Sequence, residues 1–380
     1  MSKNDENNRN KDVRAFNCSK QITRLYTSSV LSELSLTGAW VAILAARGFS
    51  MVEIGIVEMV FHITSLLFEI PSGVLADVFG RKKMLVISAI MRMLGCFVMI
   101  ASNNLELVCI SIAFFATSYN FTSGSGDALA YDSLKYVNRQ GEYVKYESNQ
   151  LVIYRLCEGM STLGAGLALL IGYRLAYSTS FITCVVQLMV LSTLVEVGEH
   201  SKRKQKQVFG SIMRELMRCV TESLEFLKTS KKAIFLMFCN SFVGAIDILL
   251  LFFLQAKLPQ AGMPSMLLGV ALFVMQLGGI IGARIILYCR KIRYQTVFAI
   301  ATLLVLLGVI LEHSGCIWIM VTGGFIAAMS DDALQVRTNT KLQHMFPSKQ
   351  RATLISVESF TFSVIMIVMS PLAGILFSWW

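Results

Sequence analysis

Runs of about 20 apolar residues recur along almost the whole of this 380-residue chain, and no other feature constrains its fold as strongly. An α-helix rises about 1.5 Å per residue, so one such run crosses the ~30 Å hydrocarbon core of a bilayer. Inside that core every backbone N–H and C=O must find its partner within the protein, which makes the helix the expected spanning element. Composition points the same way. The chain is 55% hydrophobic and 15% charged, where soluble domains are about half apolar and about a quarter charged. The expectation is an all-α integral membrane protein.

About eleven spans are predicted, at residues 26–46, 52–75, 84–101, 107–129, 151–171, 178–197, 234–253, 266–287, 296–311, 316–334 and 354–379. A polar stretch over 199–232 divides them six plus five. It predicts an amino-terminal six-helix bundle (1–198), a central loop (199–232) and a second bundle of about five helices (233–380). Within the loop Val208, Ile212, Leu216, Val220 and Leu224 recur every fourth residue among Lys204, Lys206, Arg214 and Arg218, the pattern of an amphipathic helix lying on the membrane face. Placing the amino terminus in the cytoplasm leaves, of 34 lysines and arginines, only Arg47, Arg174 and Lys257 in outer loops. Basic residues near span ends are retained on the cytoplasmic side, so that orientation in the cytoplasmic membrane is expected. The first apolar run is too long for a cleavable leader and is expected to remain as a span.

The net charge of +10 sits in short clusters between spans rather than in a basic domain, so nucleic acid is not an expected partner. Nine scattered cysteines and four histidines (His62, His200, His313, His344) show no metal-ligand spacing, and no phosphate loop or nucleophile motif occurs. No cofactor, metal or enzymatic activity is expected.

After the second span stands Gly73-Val74-Leu75-Ala76-Asp77-Val78-Phe79-Gly80-Arg81-Lys82-Lys83. It resembles the loop signature between helices two and three of the major facilitator superfamily. Gly73 and Gly80 permit a tight turn, Asp77 can meet a helix amino terminus, and Arg81 and Lys82 anchor the inner surface. The resemblance implies two pseudo-symmetric bundles that rock about a midplane site, with Asp77 as a gating residue and Arg351 as a further partner. Val78 departs from the basic residue common there. A weaker counterpart stands at Gly282-Ala283-Arg284 and Arg290 to Arg293. Glu69-Ile70-Pro71-Ser72-Gly73 and Ala128-Leu129-Ala130-Tyr131-Asp132-Ser133-Leu134 resemble a bacterial branch associated with efflux. The helix-five element that marks antiporters is replaced by Thr162-Leu163-Gly164-Ala165-Gly166. Twelve spans are usual in the family, so a twelfth is apparently missing.

An ionisable side chain within a span costs about 2.5 to 3.5 kcal/mol on insertion scales and therefore marks a cavity or a partner. Ser29, Glu33 and Thr37 are expected to form a polar stripe on the first span, with Glu33 the leading proton site. Asn120, Gly124, Asp127 and Tyr131 are expected on one face of the fourth span. Arg155 and Glu158, one turn apart in the fifth, would form a buried network with Asp127. Asn240, Gly244 and Asp247 share a face of the seventh. Asp331 and Asp332 are adjacent, so at most one lines the pathway. Arg92 and Glu69 are expected to pair across neighbouring helices. The reading is a transporter moving a small organic solute with protons, by efflux. The alternative is a non-transporting relative, such as a sensor or a decayed carrier.

Overall fold

The computed structural model describes residues 16–197, 231–289, 291–345 and 351–379, together with Gly210, Arg214, Met217, Arg218 and Thr221. The side chains of Ile70, Val74, Asp77, Gln343, His344 and residues 351–356 lie outside that set. The helices are α1 (Cys18–Glu33), α2 (Trp40–Ala46), α3 (Met51–Phe79), α4 (Arg81–Ala101), α5 (Leu105–Thr122), α6 (Ser125–Tyr136) and α7 (Tyr143–Leu163). They continue with α8 (Ala165–Ile171), α9 (Tyr173–Ser192), α10 (Lys231–Gln260), α11 (Ser265–Ile285), α12 (Tyr294–Glu312), α13 (Ile317–Met345) and α14 (Arg351–Ser378). No strand occurs among the described residues.

Nine helical segments among the described residues are long and apolar enough to cross a bilayer. The first and fifth expected spans are absent from that set: the first is divided between α1 and the short α2, and in the fifth α7 is long enough but too polar and charged, with the short α8 following it. Most of the expected amphipathic segment lies outside the described residues; Gly210, Arg214, Met217, Arg218 and Thr221 are helical and exposed.

The interruptions have local causes. At the end of α1, Leu34 turns extended (φ −79°, ψ 105°) and the backbone leaves the helix until Trp40. Non-helical backbone at membrane depth survives only where protein or cavity polar groups satisfy it. Here the Ser161 hydroxyl on α7 serves both sides of the break. It accepts from Ser35 N (2.9 Å) and donates to the Glu33 carbonyl (3.0 Å). Thr37 Oγ1 reaches Ser180 Oγ of α9 at 3.4 Å. The α7–α8 joint faces the same place, since a methyl at Gly164 would stand 3.0 Å from Leu36 Cδ2. Between α5 and α6, Gly124 adopts φ +74°, a left-handed conformation that favours glycine.

Up to α9, α4 packs on α5 and α9, while α1 packs on α6, α7 and α9. From α10 onward, α13 lies between α11 and α12 and against α10. Lipid tails are as apolar as leucine, so helices in a bilayer associate through close packing of small residues. Gly278 and Gly282, one turn apart on α11, sit against the Phe325 and Met329 carbonyls of α13, where a methyl would collide. Outward faces carry exposed apolar side chains such as Leu67, Leu303 and Ile310, each about two-thirds exposed.

Among the described residues the two parts of the chain pack together through α3 with α14, α7 and α8 with α11, and α2 with α10. The first two rest on glycine. Gly55 abuts the Ser370 carbonyl and Gly374 the Met51 carbonyl; Gly166 abuts the Ser265 carbonyl and Gly269 the Leu163 carbonyl. All four lie towards the end of the bundle opposite the start of α1, called the far end below.

Candidate functional site

The break in the first span opens on a cavity of about 290 Å³. Thr37 and Trp40 border it on one side; Glu58 and Phe61 of α3, and Arg92 and Cys96 of α4, border it on the next. Phe115 of α5 and Tyr177 and Ser180 of α9 continue the wall, and Phe252 of α10 closes it from the second part of the chain. The Trp40 and Phe252 rings meet edge to face at 5.5 Å, so one boundary of the cavity is also a contact between the two parts.

Glu58 and His62 are one turn apart on α3, with Nε2 of His62 3.2 Å from Oε1 of Glu58. The imidazole is held edge-on between Phe61 and Phe362 of α14, at 5.5 and 5.6 Å. Arg92 donates to Ser32 Oγ at 2.6 Å. Among the described residues no carboxylate lies within 4.0 Å of its guanidinium. The expected pairing of Arg92 with Glu69 does not form, because Glu69 turns towards Ser359 of α14 instead. Sequence reasoning set Arg92 aside and passed over Glu58. The signal was present, because Glu58 and His62 stand at i and i+4 within an apolar run, the criterion that singled out Glu33.

Glu33 ends α1 at the break, but the stripe expected from Ser29 through Thr37 is not continuous, since residues 34–39 are not helical. Asn120 likewise does not share a helix with Asp127. The chain breaks at Gly124, and Asn120 bonds the Ser65 carbonyl of α3 at 3.0 Å. Arg155 and Glu158 pair at 3.2 Å, but the Arg155 side chain is 67% exposed, so the pair is not the buried network expected. Among the described residues Arg155 makes no ion pair with Asp127.

In the second part of the chain Asn240 and Asp247 are both buried on α10. The Asp331 carboxylate lies over Gly244, with both oxygens 3.5 Å from where a Cβ would stand, and beside Asp247. Oδ1 of Asp247 and of Asn240 have no hydrogen-bond partner among the described residues. Asp332 diverges as helical geometry requires, facing Gly279 of α11 and the side of Arg155.

At the near end the expected loop Gly73–Lys83 is mostly helical, Gly73 lying within α3 and only Gly80 between α3 and α4, and the segment is braced within the first part of the chain. Gly80 turns at φ +100°. Both oxygens of Glu196 cap α4, accepting from Arg81 N (3.1 Å) and Lys82 N (2.9 Å). This is the position anticipated for Asp77, whose side chain lies outside the described residues, as does that of Arg351. The Arg81 side chain bonds Asp132 and the Ala128 carbonyl, and Lys82 Nζ bonds the Ser192 carbonyl at 2.8 Å. A methyl at Gly73 would meet open space. Among the described residues no group of three or more His, Cys, Asp or Glu side chains could hold a metal ion.

Long apolar helices, interrupted spans that meet beside one another and a cavity beside the junction of two helix groups define a multi-pass membrane protein of the secondary-transporter fold. The family model of the Major Facilitator Superfamily matches residues 25–336, and the chain belongs to that family. Solved structures agree on the fold. The nucleoside transporter NupG superposes with a TM-score of 0.69 at 14% identity, over 95% of this chain and 91% of that one. The xylose transporter XylE from E. coli, in an inward open conformation, gives 0.63 at 12% identity over 95% and 90%. A bacterial homologue of the human lysosomal transporter Spinster, inward-facing and unoccupied, gives 0.66 at 13% over 93% and 81%. A search of curated proteins by sequence finds no match. Members of the family are transporters rather than enzymes.

Proposed function

We propose that the chain is a proton-coupled secondary carrier of the cytoplasmic membrane that moves a small organic solute by alternating access. Residues 1–198 and 233–380 are its two moving bundles, joined by 199–232, with the amino terminus in the cytoplasm. The observation that carries this reading is the cavity beside the broken first span, bounded by both parts of the chain through Trp40 and Phe252. Irregular backbone at a repeat interface is where such carriers hold solute.

Solute occupies the cavity, and protons move through the carboxylates. Asp247 and Asp331 form the principal proton-handling pair, since they meet in apolar surroundings with an unpartnered oxygen between helices. Glu33 stands at the break between that route and the solute. Asp127, Arg155 and Glu158 line the approach, with Arg155 positioned to attract Asp332 as the bundles close. Asp77 and the Arg81–Asp132 pair gate the near end. Outward movement is supported by the resemblance of Ala128 to Leu134 to the efflux branch. The D-xylose-proton symporter among the structural neighbours is an example of proton coupling in this fold.

The test is transport in proteoliposomes with and without a pH gradient. Asp247→Asn is expected to abolish gradient-driven accumulation while leaving solute exchange across the membrane intact. Equal loss of both, or of neither, would remove the pair from coupling.

A further inference from the structure

The charged groups of the cavity suggest what the solute is. Arg92 spends one donor on the neutral Ser32 hydroxyl and, among the described residues, has no acid within 4.0 Å. A guanidinium in a low-dielectric wall with only a hydroxyl partner is a site for an anionic group, which its planar fork can bind through two hydrogen bonds. Glu58 uses Oε1 on His62, and Oε2 makes no hydrogen bond among the described residues. His62 meets Glu58 through Nε2, and its Nδ1 is buried without a partner among the described residues. Glu58 and Arg92 do not pair with each other. Arg92 also feels the Glu33 carboxylate beyond ion-pair distance and Glu58 engages His62 through one oxygen, but both line the same space, and a ligand carrying both signs would meet both at once.

The rest of the lining restricts the body of that ligand. Trp40, Phe61, Phe115, Tyr177 and Phe252 come from five helices and line the space with aromatic side chains. They suit a flat or apolar body, and a cation near a ring face gains further attraction. Among the described lining residues Thr37, Ser180 and Tyr177 carry hydroxyls, few for the many hydroxyl groups of a sugar. At about 290 Å³ the cavity lies at the lower end of the ~300–1,000 Å³ range of ligand pockets, which limits it to a small molecule.

We propose that this cavity binds a small zwitterion with a flat apolar body, of the aromatic amino-acid type, its ammonium at Glu58 and its carboxylate at Arg92. The inference rests on the carrier reading for its biological meaning, but the binding site stands on its own geometry.

The experiment is equilibrium binding of radiolabelled L-phenylalanine to the full chain in lipid nanodiscs, in competition with 3-phenylpropionate, which lacks the ammonium, and phenethylamine, which lacks the carboxylate. The zwitterion is expected to bind saturably and at least tenfold tighter than either analogue. Glu58→Gln should remove its advantage over 3-phenylpropionate, and Arg92→Gln its advantage over phenethylamine. The wild-type comparison needs no variant, so a substitution that fails to fold leaves the test in place. Either analogue binding as tightly as L-phenylalanine, or no saturable binding of L-phenylalanine by the folded wild type, would overturn the proposal. Gradient-driven flux of some other solute without zwitterion binding would sink this inference and spare the carrier. Saturable zwitterion binding without flux of any solute would do the reverse.

Discussion

Ser161 is a single hydroxyl with two structural duties, closing the backbone on both sides of the break in the first span. Ser161→Ala leaves the Ser35 N–H without its partner at membrane depth, where an unsatisfied backbone group costs about 1–3 kcal/mol. A lowered midpoint of thermal unfolding in detergent is the expected outcome; an unchanged midpoint would mean that water takes over both bonds. Gly80 makes a similar case outside the spans. Its φ of +100° is strained for an L side chain, and a Cβ there would stand 2.6 Å from Glu196 Oε2. Gly80→Ala should therefore cost about 1–3 kcal/mol and loosen the cap on α4. Amide hydrogen exchange across Arg81 to Leu85 checks this, with faster exchange expected.

Among the elements, the pairs α3–α14 and α8–α11 approach so closely at the far end that each has a glycine against a partner's carbonyl. Side chains larger than hydrogen cannot be accommodated there without separating the helices. Gly55→Leu or Gly374→Leu should hold the far end apart while leaving each bundle folded. Spin labels at Arg174 and Cys316, exposed far-end positions on the two parts of the chain, report the separation by pulsed electron resonance. A longer mean distance in the variants is expected, with at least tenfold slower flux. An unchanged distance distribution would show that these glycines serve packing and not closure.

For the whole molecule, the orientation argument from basic residues makes a direct forecast. Cys316 is exposed in the turn between α12 and α13, at the far end. In a chain keeping only that cysteine, an impermeant maleimide added to intact cells should label it without permeabilisation; labelling only after permeabilisation would invert the topology. This forecast, like the membrane-spanning helices themselves, was legible from the sequence, because the bilayer judges each run separately by its length, polarity and flanking charge. The buried positions of Asp247 and Asp331 were legible for the same reason, as was the divergence of Asp331 from Asp332, which helical geometry alone dictates. Other features depend on which faces of distant helices meet. Ser161 decides that the first span breaks at Leu34, Ser359 draws Glu69 away from Arg92, and Phe362 and Phe61 hold His62 towards Glu58. In lipid, a residue facing a neighbouring helix and one facing acyl chains can be equally apolar, so the pattern of hydrophobicity does not encode that choice. The amino-acid sequence by itself determined that this chain crosses a membrane many times. Only tertiary packing, where small residues let particular helices approach, decided that Glu58 and Arg92 would face one cavity.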